Sequence, residues 1–550
     1  MIRRNKVFGL ILFGALLSIA VFLFTFKLDK VPPGLYVDEA TVGYNAYSIL
    51  KTGKDEYGKS FPILFRLFGS YTPSLFVYGL VPLIWLLGLK VWVIRLLSVF
   101  SGLGIAFIVF LFLKSVKKDS FWLPYLGMLM FIISPWAIFY SRLGYEVTFA
   151  FAIFTFGAYY LWLGLKEAKY LKWGLLIISL SAYASHAQRY LAPFFIFSAL
   201  VVFRKKLFDQ KSKKQLLTAL LLAFLIQIPQ LLLINTPAFW NKGNLFYADQ
   251  VANRAQNTLS FLPYFLALPI AFLREFFSQW VTYFSPRSLF FLPDPDLQRS
   301  LPALSVFYDW MVVPYFVGLY LLWQNRKKDW VKYLFILAVL SPLPTALVSD
   351  PFSTQRSLSL LFPLIIVITL GVHKLLFGLK KNWQRVGVLG LLIFYSLILF
   401  GRSYFILFRK ERAIVWGYGF DQLAKIIEDS PETNFVIDQV RMKPVYIELA
   451  FYQKYFPAEL QKVVDQKISQ NYYWQTTFNS EYDFANIETR SITWDDVSKE
   501  QILVGDELSI SPSQAEEHSL KKAFEIKDPL GNLIFIGYRT DPDLKRKKTK

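Results

Sequence analysis

Apolar runs near the length of a lipid bilayer recur eleven times before residue 410, and this pattern limits the fold more than any other. They fall at about 7–26, 92–113, 121–138, 146–165, 171–186, 190–204, 215–234, 306–323, 331–348, 357–373 and 386–408. A helix crossing the hydrocarbon core needs roughly 20 mostly apolar residues. The reading is a polytopic α-helical membrane protein with about eleven spans. Composition agrees: of 550 residues, 55% are hydrophobic and 18% charged, where a soluble domain carries about a quarter charged. A disordered chain, a coiled coil and an ordinary cytosolic enzyme are excluded. With no Cys and only three His, disulfide scaffolds, thiolate metal sites and cysteine nucleophiles are excluded too. Chemistry must rest on carboxylates, Arg, Lys, Tyr or hydroxyls.

The net charge of +21 is unevenly placed. Residues 410–550 hold 19 basic and 23 acidic residues, while the preceding 409 hold 41 and 16. This change of sign predicts a boundary near residue 410, between a transmembrane domain (1–409) and a separate tail domain (410–550). The excess cations sit in short loops between apolar runs, so they read as topology signals rather than a nucleic-acid surface. With the N-terminus in the cytoplasm, the inner segments hold 23 Lys/Arg, Lys118 among them, and the three short outer loops hold one each: Arg142, Arg189 and Arg356. That asymmetry predicts a cell-membrane protein with its tail outside. Arg3, Arg4 and Lys6 precede the first run without a small-residue cleavage site, which predicts a retained helix.

Two outer segments are long, 27–91 and 235–305. Both are aromatic-rich, with amphipathic stretches from Leu75 to Leu89 and Phe265 to Phe284 that suit the membrane interface. The tail alternates helical and strand-like pieces: Phe420 to Glu428, Phe435-Val436-Ile437, Pro444 to Tyr455, and Leu533 to Tyr538. It reads as a small α/β domain with a basic, disordered end at Lys545 to Lys550.

The first long loop carries Gly34-Leu35-Tyr36-Val37-Asp38-Glu39-Ala40, Gly43-Tyr44-Asn45-Ala46 and Thr52-Gly53-Lys54-Asp55-Glu56-Tyr57-Gly58. Asp38 suits the N-cap of a helix running to Lys51, with Gly53 past its end. Two adjacent carboxylates also sit where a lipid-borne substrate presents its head group, and ionisable residues at such a boundary need a reason. Capping and catalysis are compatible. Arg142 and Glu146, four apart, share a helix face and can pair. Arg356 opens another span, as a head-group anchor or a phosphate ligand. His186, Gln188, Arg189 and Tyr190 read as interface anchors. Asp294-Pro295-Asp296, with Arg299 behind it, reads as a turn with clustered charge.

These motifs resemble the GT-C glycosyltransferases, in the branch holding the protein O-mannosyltransferases and the lipid A aminoarabinose transferase. Asp38-Glu39 is similar to that family's acidic motif after the first span. Ser134-Pro135-Trp136 and Tyr140-Ser141-Arg142 with Glu146 resemble its second outer loop. Phe284-Ser285-Pro286, Leu289-Phe290-Phe291 and Asp294 to Ser300 resemble its large later loop, and Leu347 to Arg356 its outer-loop arginine. The match covers most of residues 1–410.

The resemblance implies a GT-C fold with a small extracytoplasmic α/β tail. It also implies transfer of a sugar from a polyprenyl-phosphate donor to a hydroxyl of a protein, lipid or glycan on the outer face, with inversion. Asp38 is then the general base, supported by Glu39. The motif favours Asp38 over Asp55, which spacing alone does not separate. Arg356 and Arg142 would bind the donor phosphate; Asp55, Glu146, Asp294 and Arg299 would bind or support substrate. No dedicated metal cluster is visible, although carboxylates can bind Mg²⁺ or Mn²⁺. The alternatives are an oligosaccharyl- or O-antigen-type transferase with a diphosphate-linked donor, a catalytically silent scaffold, and a lipid or sugar transporter. A transporter places ionisable residues or broken helices at the midplane, often in repeated halves, and neither pattern occurs here.

Overall fold

The computed structural model describes residues 2–117, 119–240, 248–348, 350, 352–440, 444–464, 466–478 and 481–543. Lys118 and the expected basic end, Lys545 to Lys550, lie outside these residues. The chain divides into two compact units, one of residues 1–26, 95–232 and 242–405, the other of 27–94, 233–241 and 406–550. The charge boundary near 410 assigned the first outer loop to the membrane helices. The contacts place residues 27–94 with the tail, because their partners lie some 400 positions away and leave no trace in local composition.

The first unit is helical. Among the described residues, six helices are long and apolar enough to cross a bilayer: Val7–Thr25, Val91–Val116, Glu146–Gly164, Ser212–Leu231, Leu358–Gly378 and Asn382–Glu411. A seventh span arises if Trp122–Ile133 and Pro135–Ser141, bent by 63°, count as one. The bend has a local cause. A residue before proline avoids the helical region, and Ser134 takes ψ 129° ahead of Pro135. Of the eleven expected spans, six or seven reach spanning length among the described residues. The four remaining runs form helices of 11, 17, 13 and 12 residues: Leu171–Ser181, His186–Val202, Val312–Gln324 and Asp329–Leu340. Turns at 182–184 and 341–342 cut two of these runs short.

With lipid as solvent, helices gain from close van der Waals approach, which small residues permit. Val312–Gln324 and Leu361–Gly378 meet this way. A Cβ on Gly371 would lie 1.8 Å from the Pro314 carbonyl oxygen, and one on Gly318 would lie 2.0 Å from that of Val367.

The second unit joins the first loop to the tail. Its six-stranded sheet runs Tyr482–Phe484, Ile487–Thr489, Phe435–Ile437, Ile502–Gly505, Leu533–Arg539, Lys521–Lys527. Phe435–Ile437 is parallel to both neighbours, and the other pairs are antiparallel. The expected tail helices appear as Phe420–Glu428 and Tyr446–Tyr452. The expected interfacial stretches appear as the helices Leu75–Leu87 in this unit and Tyr264–Thr282 in the first. A hairpin, Leu64–Leu67 with Ser70–Pro73, was not expected from the sequence.

Candidate active site

In the second unit the acidic motif opens the helix Val37–Thr52. Tyr36, not Asp38, is the N-cap, which corrects the capping assignment. Asp38 and Glu39 are the second and third helical residues, where the positive end of the helix favours a carboxylate. The helix stops as expected, with Gly53 at φ 69° donating its N–H to the Ile49 carbonyl at 2.9 Å. The two acids differ in setting. Asp38 is half-buried, whereas Glu39 is fully buried and accepts from the Tyr36 N–H at 3.4 Å.

A third carboxyl, absent from the sequence reading, belongs here. Glu448 on the tail helix Tyr446–Tyr452 is 3% exposed, and its Oε2 has no hydrogen-bond partner among the described residues. Burial pushes its pKa well above the ordinary carboxylate range, and the charge of Glu39 raises it further. A buried acid in this state is neutral and can donate a proton in a hydrogen bond. The tail reaches Glu39's surroundings through Gly417, at φ 60°, where a Cβ would meet the Leu35 carbonyl at 2.4 Å. No local signal marks Glu448, because its neighbour lies more than 400 positions earlier.

Asp55 follows the same helix on a segment that folds back along it, with Asn45 bonding the Glu56 N–H at 3.0 Å. It is fully buried and accepts from the backbone N–H groups of Tyr57 (3.0 Å) and Lys59 (2.8 Å) and from the Tyr472 hydroxyl (2.5 Å). Glu56 beside it accepts from Asn45 Nδ2 and the Tyr446 hydroxyl, each at 2.9 Å. Arg66 donates to the carbonyls of Gln475 and Thr477. This network ties loop to tail and gives Asp55 a structural setting.

Burial raises Asp55 to about 6 and Glu56 to about 8, against the opposing hydrogen bonds of Tyr472 to Asp55 and of Asn45 and Tyr446 to Glu56. Both folded values lie above the unfolded ones. The protonated forms therefore stabilise the fold fully at about pH 4, and that contribution is lost as pH rises through 6 and 8. The expected result is a melting temperature that falls between about pH 4 and 8. Each buried acid contributes up to about 1.4 kcal/mol per pH unit between its two values. Glu56→Gln should flatten the curve; an unchanged slope in that variant would show that Glu56 does not titrate there.

In the first unit, Asp294, Arg299 and Arg356 meet, joined by Asp350. Asp294 is 4% exposed and accepts from Thr354 N (2.9 Å) and Oγ1 (2.8 Å) and from Asp296 N (3.0 Å). Arg299 donates to both Asp350 oxygens, at 2.5 and 2.9 Å, and its Nε lies 3.4 Å from Asp294 Oδ2. Burial pushes Asp350 up, but the hydrogen bonds and charge of Arg299 outweigh it and hold the carboxyl below its ordinary value. Arg356 shares the Asp350 carboxylate at 3.2 Å and leaves 32% of its side chain exposed. Glu146, first residue of its helix, adds negative charge to the field at Arg356.

Arg142 is placed differently. It is fully buried and donates to the carbonyls of Leu23 (2.8 Å) and Phe26 (2.6 Å) and to the Tyr404 hydroxyl (3.2 Å). Those carbonyls close the C-terminal end of the first helix, and a guanidinium is a fitting cap for them. This geometry makes Arg142 an anchor of that helix end rather than an open phosphate ligand.

A cavity of about 830 Å³ lies in the same unit, lined by Trp280, Phe284, Tyr315, Leu319 and Phe335 among others, with Arg326 and Lys332 in its wall. Tyr283, next to Phe284, stacks on Phe352 at 5.5 Å, and its hydroxyl accepts from Ser353 N at 2.8 Å. Among the described residues no group of three or more His, Cys, Asp or Glu could hold a metal ion. Asp294 and Asp350 already share Arg299, so they do not fit a divalent cation.

No family model matches this sequence, and no curated protein does. Solved structures do. ArnT from Cupriavidus metallidurans, bound to undecaprenyl phosphate, aligns with a TM-score of 0.55 at 12% identity over 95% of this chain and 97% of its own. Its apo form aligns with the same score and identity over 97% and 98%. An oligosaccharyltransferase from Archaeoglobus fulgidus, tethered to an acceptor peptide with the NVT sequon, aligns at 0.50 and 12% identity over 98% of this chain and 74% of its own. Both are GT-C glycosyltransferases. The chain has the GT-C fold; identity this low speaks for the fold alone.

Proposed function

We propose that this protein is a membrane glycosyltransferase that moves a sugar from a polyprenyl-phosphate donor to an acceptor hydroxyl, on the face opposite its lysine-rich loops. The observation that carries the reading is the arrangement of the acidic motif. Asp38 is half-buried on the first turn of its helix, and Glu39 is fully buried beside it. A general base must be reachable by the proton it takes, and Asp38 is the reachable one. Glu39 and Glu448 form its support. As the acceptor oxygen attacks the anomeric carbon, its proton passes to Asp38. The bond to the donor phosphate breaks, and the configuration inverts in one displacement. The protein, lipid or glycan nature of the acceptor is open to the same chemistry.

For the leaving group, Arg356 is the donor-phosphate ligand and Arg142 the anchor of the first helix. Arg356 keeps part of its fork exposed while Asp350 orients it, as a bidentate phosphate contact requires. The apolar cavity suits a polyprenyl chain in size and lining. Arg356→Ala is expected to weaken donor use about tenfold or more, and Arg356→Lys to recover part of it, since an ammonium is a point charge and not a fork. Titration of a synthetic polyprenyl-phosphate sugar against the purified protein measures this. Wild-type kinetics in the alanine variant would return Arg356 to a head-group anchor. Protease added to intact spheroplasts should cut the tail beyond residue 410; protection there would reverse the proposed orientation.

A further inference from the structure

The lysine-rich face of the helical unit carries a pocket that the transfer reaction does not use. It opens among the helices Ile2–Thr25, Trp122–Ile133, Leu361–Gly378 and Asn382–Phe400, with a volume of about 360 Å³. Leu12, Leu16, Tyr125, Leu126 and Phe377 form apolar walls. Arg385 stands in the lining with its guanidinium 4.9 Å above the Phe377 ring. It is held there by the Leu379 carbonyl at 2.8 Å and Asn382 Oδ1 at 3.0 Å. Phe377 also stacks on His373 at 4.5 Å, whose Nε2 bonds Ser120 Oγ at 3.1 Å.

The Ser120–His373 bond sets the turn after Lys117 against the helix that carries Lys374, and Lys328 adds its charge there. Partial burial lowers the pKa of Lys117, and the charges of Lys328 and Lys374 lower it further. Asp329, the acid next to Lys328, is taken by Lys206. Among the described residues no carboxylate lies within ion-pair distance of Lys117, Lys328 or Lys374. The positive-inside rule accounts for lysines on this face. It does not account for cations grouped beside an apolar pocket whose own lining holds Arg385, where like charges repel and an anion would relieve them. Trp122 and Trp383, 45% and 70% exposed, flank the opening as interface-depth aromatics do.

We propose that this pocket binds an anionic phospholipid of the adjacent leaflet, with an acyl chain between the helices and the phosphate held by Lys117 and Lys374 near Arg385. Basic pockets between transmembrane helices recognise such head groups, at roughly one kcal/mol per cation, so loss of two lysines should cost about tenfold or more. The site is separate from Arg356 and the 830 Å³ cavity.

Native mass spectrometry of the purified full chain, titrated with phosphatidylglycerol or with phosphatidylcholine of the same acyl chains, tests this. The wild type should retain phosphatidylglycerol about tenfold better. Lys117→Ser with Lys374→Ser should abolish the preference, and Lys117→Arg with Lys374→Arg should keep it. Glycerol phosphate, which lacks acyl chains, should not compete. Equal retention of the two lipids, a preference surviving in the serine variant or lost in the arginine variant, or full competition by glycerol phosphate would overturn the proposal.

Discussion

Asp38→Asn is expected to reduce transfer by about a hundred- to ten-thousand-fold, the usual cost of losing a general base. The fold should survive. Asp38 does not cap its helix, and the amide keeps its size while removing a first-turn charge worth about 0.3–1 kcal/mol. Single-turnover transfer from a synthetic polyprenyl-phosphate sugar, beside a melting curve, separates loss of chemistry from loss of structure. Glu39→Gln should be milder, since the amide oxygen still accepts from the Tyr36 N–H. It should also shift the pH profile, because Glu39 raises the pKa of Glu448. Normal turnover in Asp38→Asn would remove the base from this helix turn. Asp55 could not replace it, being fully buried and already accepting from Tyr57, Lys59 and Tyr472.

Arg299→Met is expected to destabilise the helical unit by about 3–5 kcal/mol, the cost of leaving a buried ion pair with one member. Arg299 is 7% exposed between Asp294 and Asp350, and its removal leaves Asp294, 4% exposed, without its cation. Adding Asp294→Asn should recover part of the loss, because neighbours in one network are not additive. Donor use should fall as well, since Asp350 would then hold Arg356 without its main partner. Thermal melting in detergent gives the first effect and donor titration the second. A melting temperature within a degree of wild type would show that the cluster is hydrated and carries little energy.

Much of the helical unit was legible because its solvent is uniform. Long apolar runs between cationic loops announce spans; the break before Pro135, inside the run 121–138, came only with the structure. Span length was less legible. Four runs look continuous by hydropathy, yet their helices, of 11, 17, 13 and 12 residues, end at turns. The tail pieces Phe420–Glu428 and Phe435–Ile437 were readable from period alone, with the expected helix and strand at those residues. The acidic motif pointed to Asp38-Glu39 and to Gly53 as a helix stop, but it misassigned the cap.

By itself, then, the sequence determined what lipid and water demand of it: which segments are apolar, which loops are cationic, and which acids lie next to one another in the chain. Tertiary structure decided which distant charges meet. Asp350 joins Arg299 to Arg356, Glu448 arrives beside Glu39, and Asp55 and Glu56 are buried by Tyr472 and Tyr446. It also turned Arg142 inward, onto the carbonyls of Leu23 and Phe26. The reason is physical. Apolar burial and helix periodicity act over a few residues and are written in local order. A buried charge is tolerable only beside a specific partner, and in this chain those partners lie up to 417 positions away.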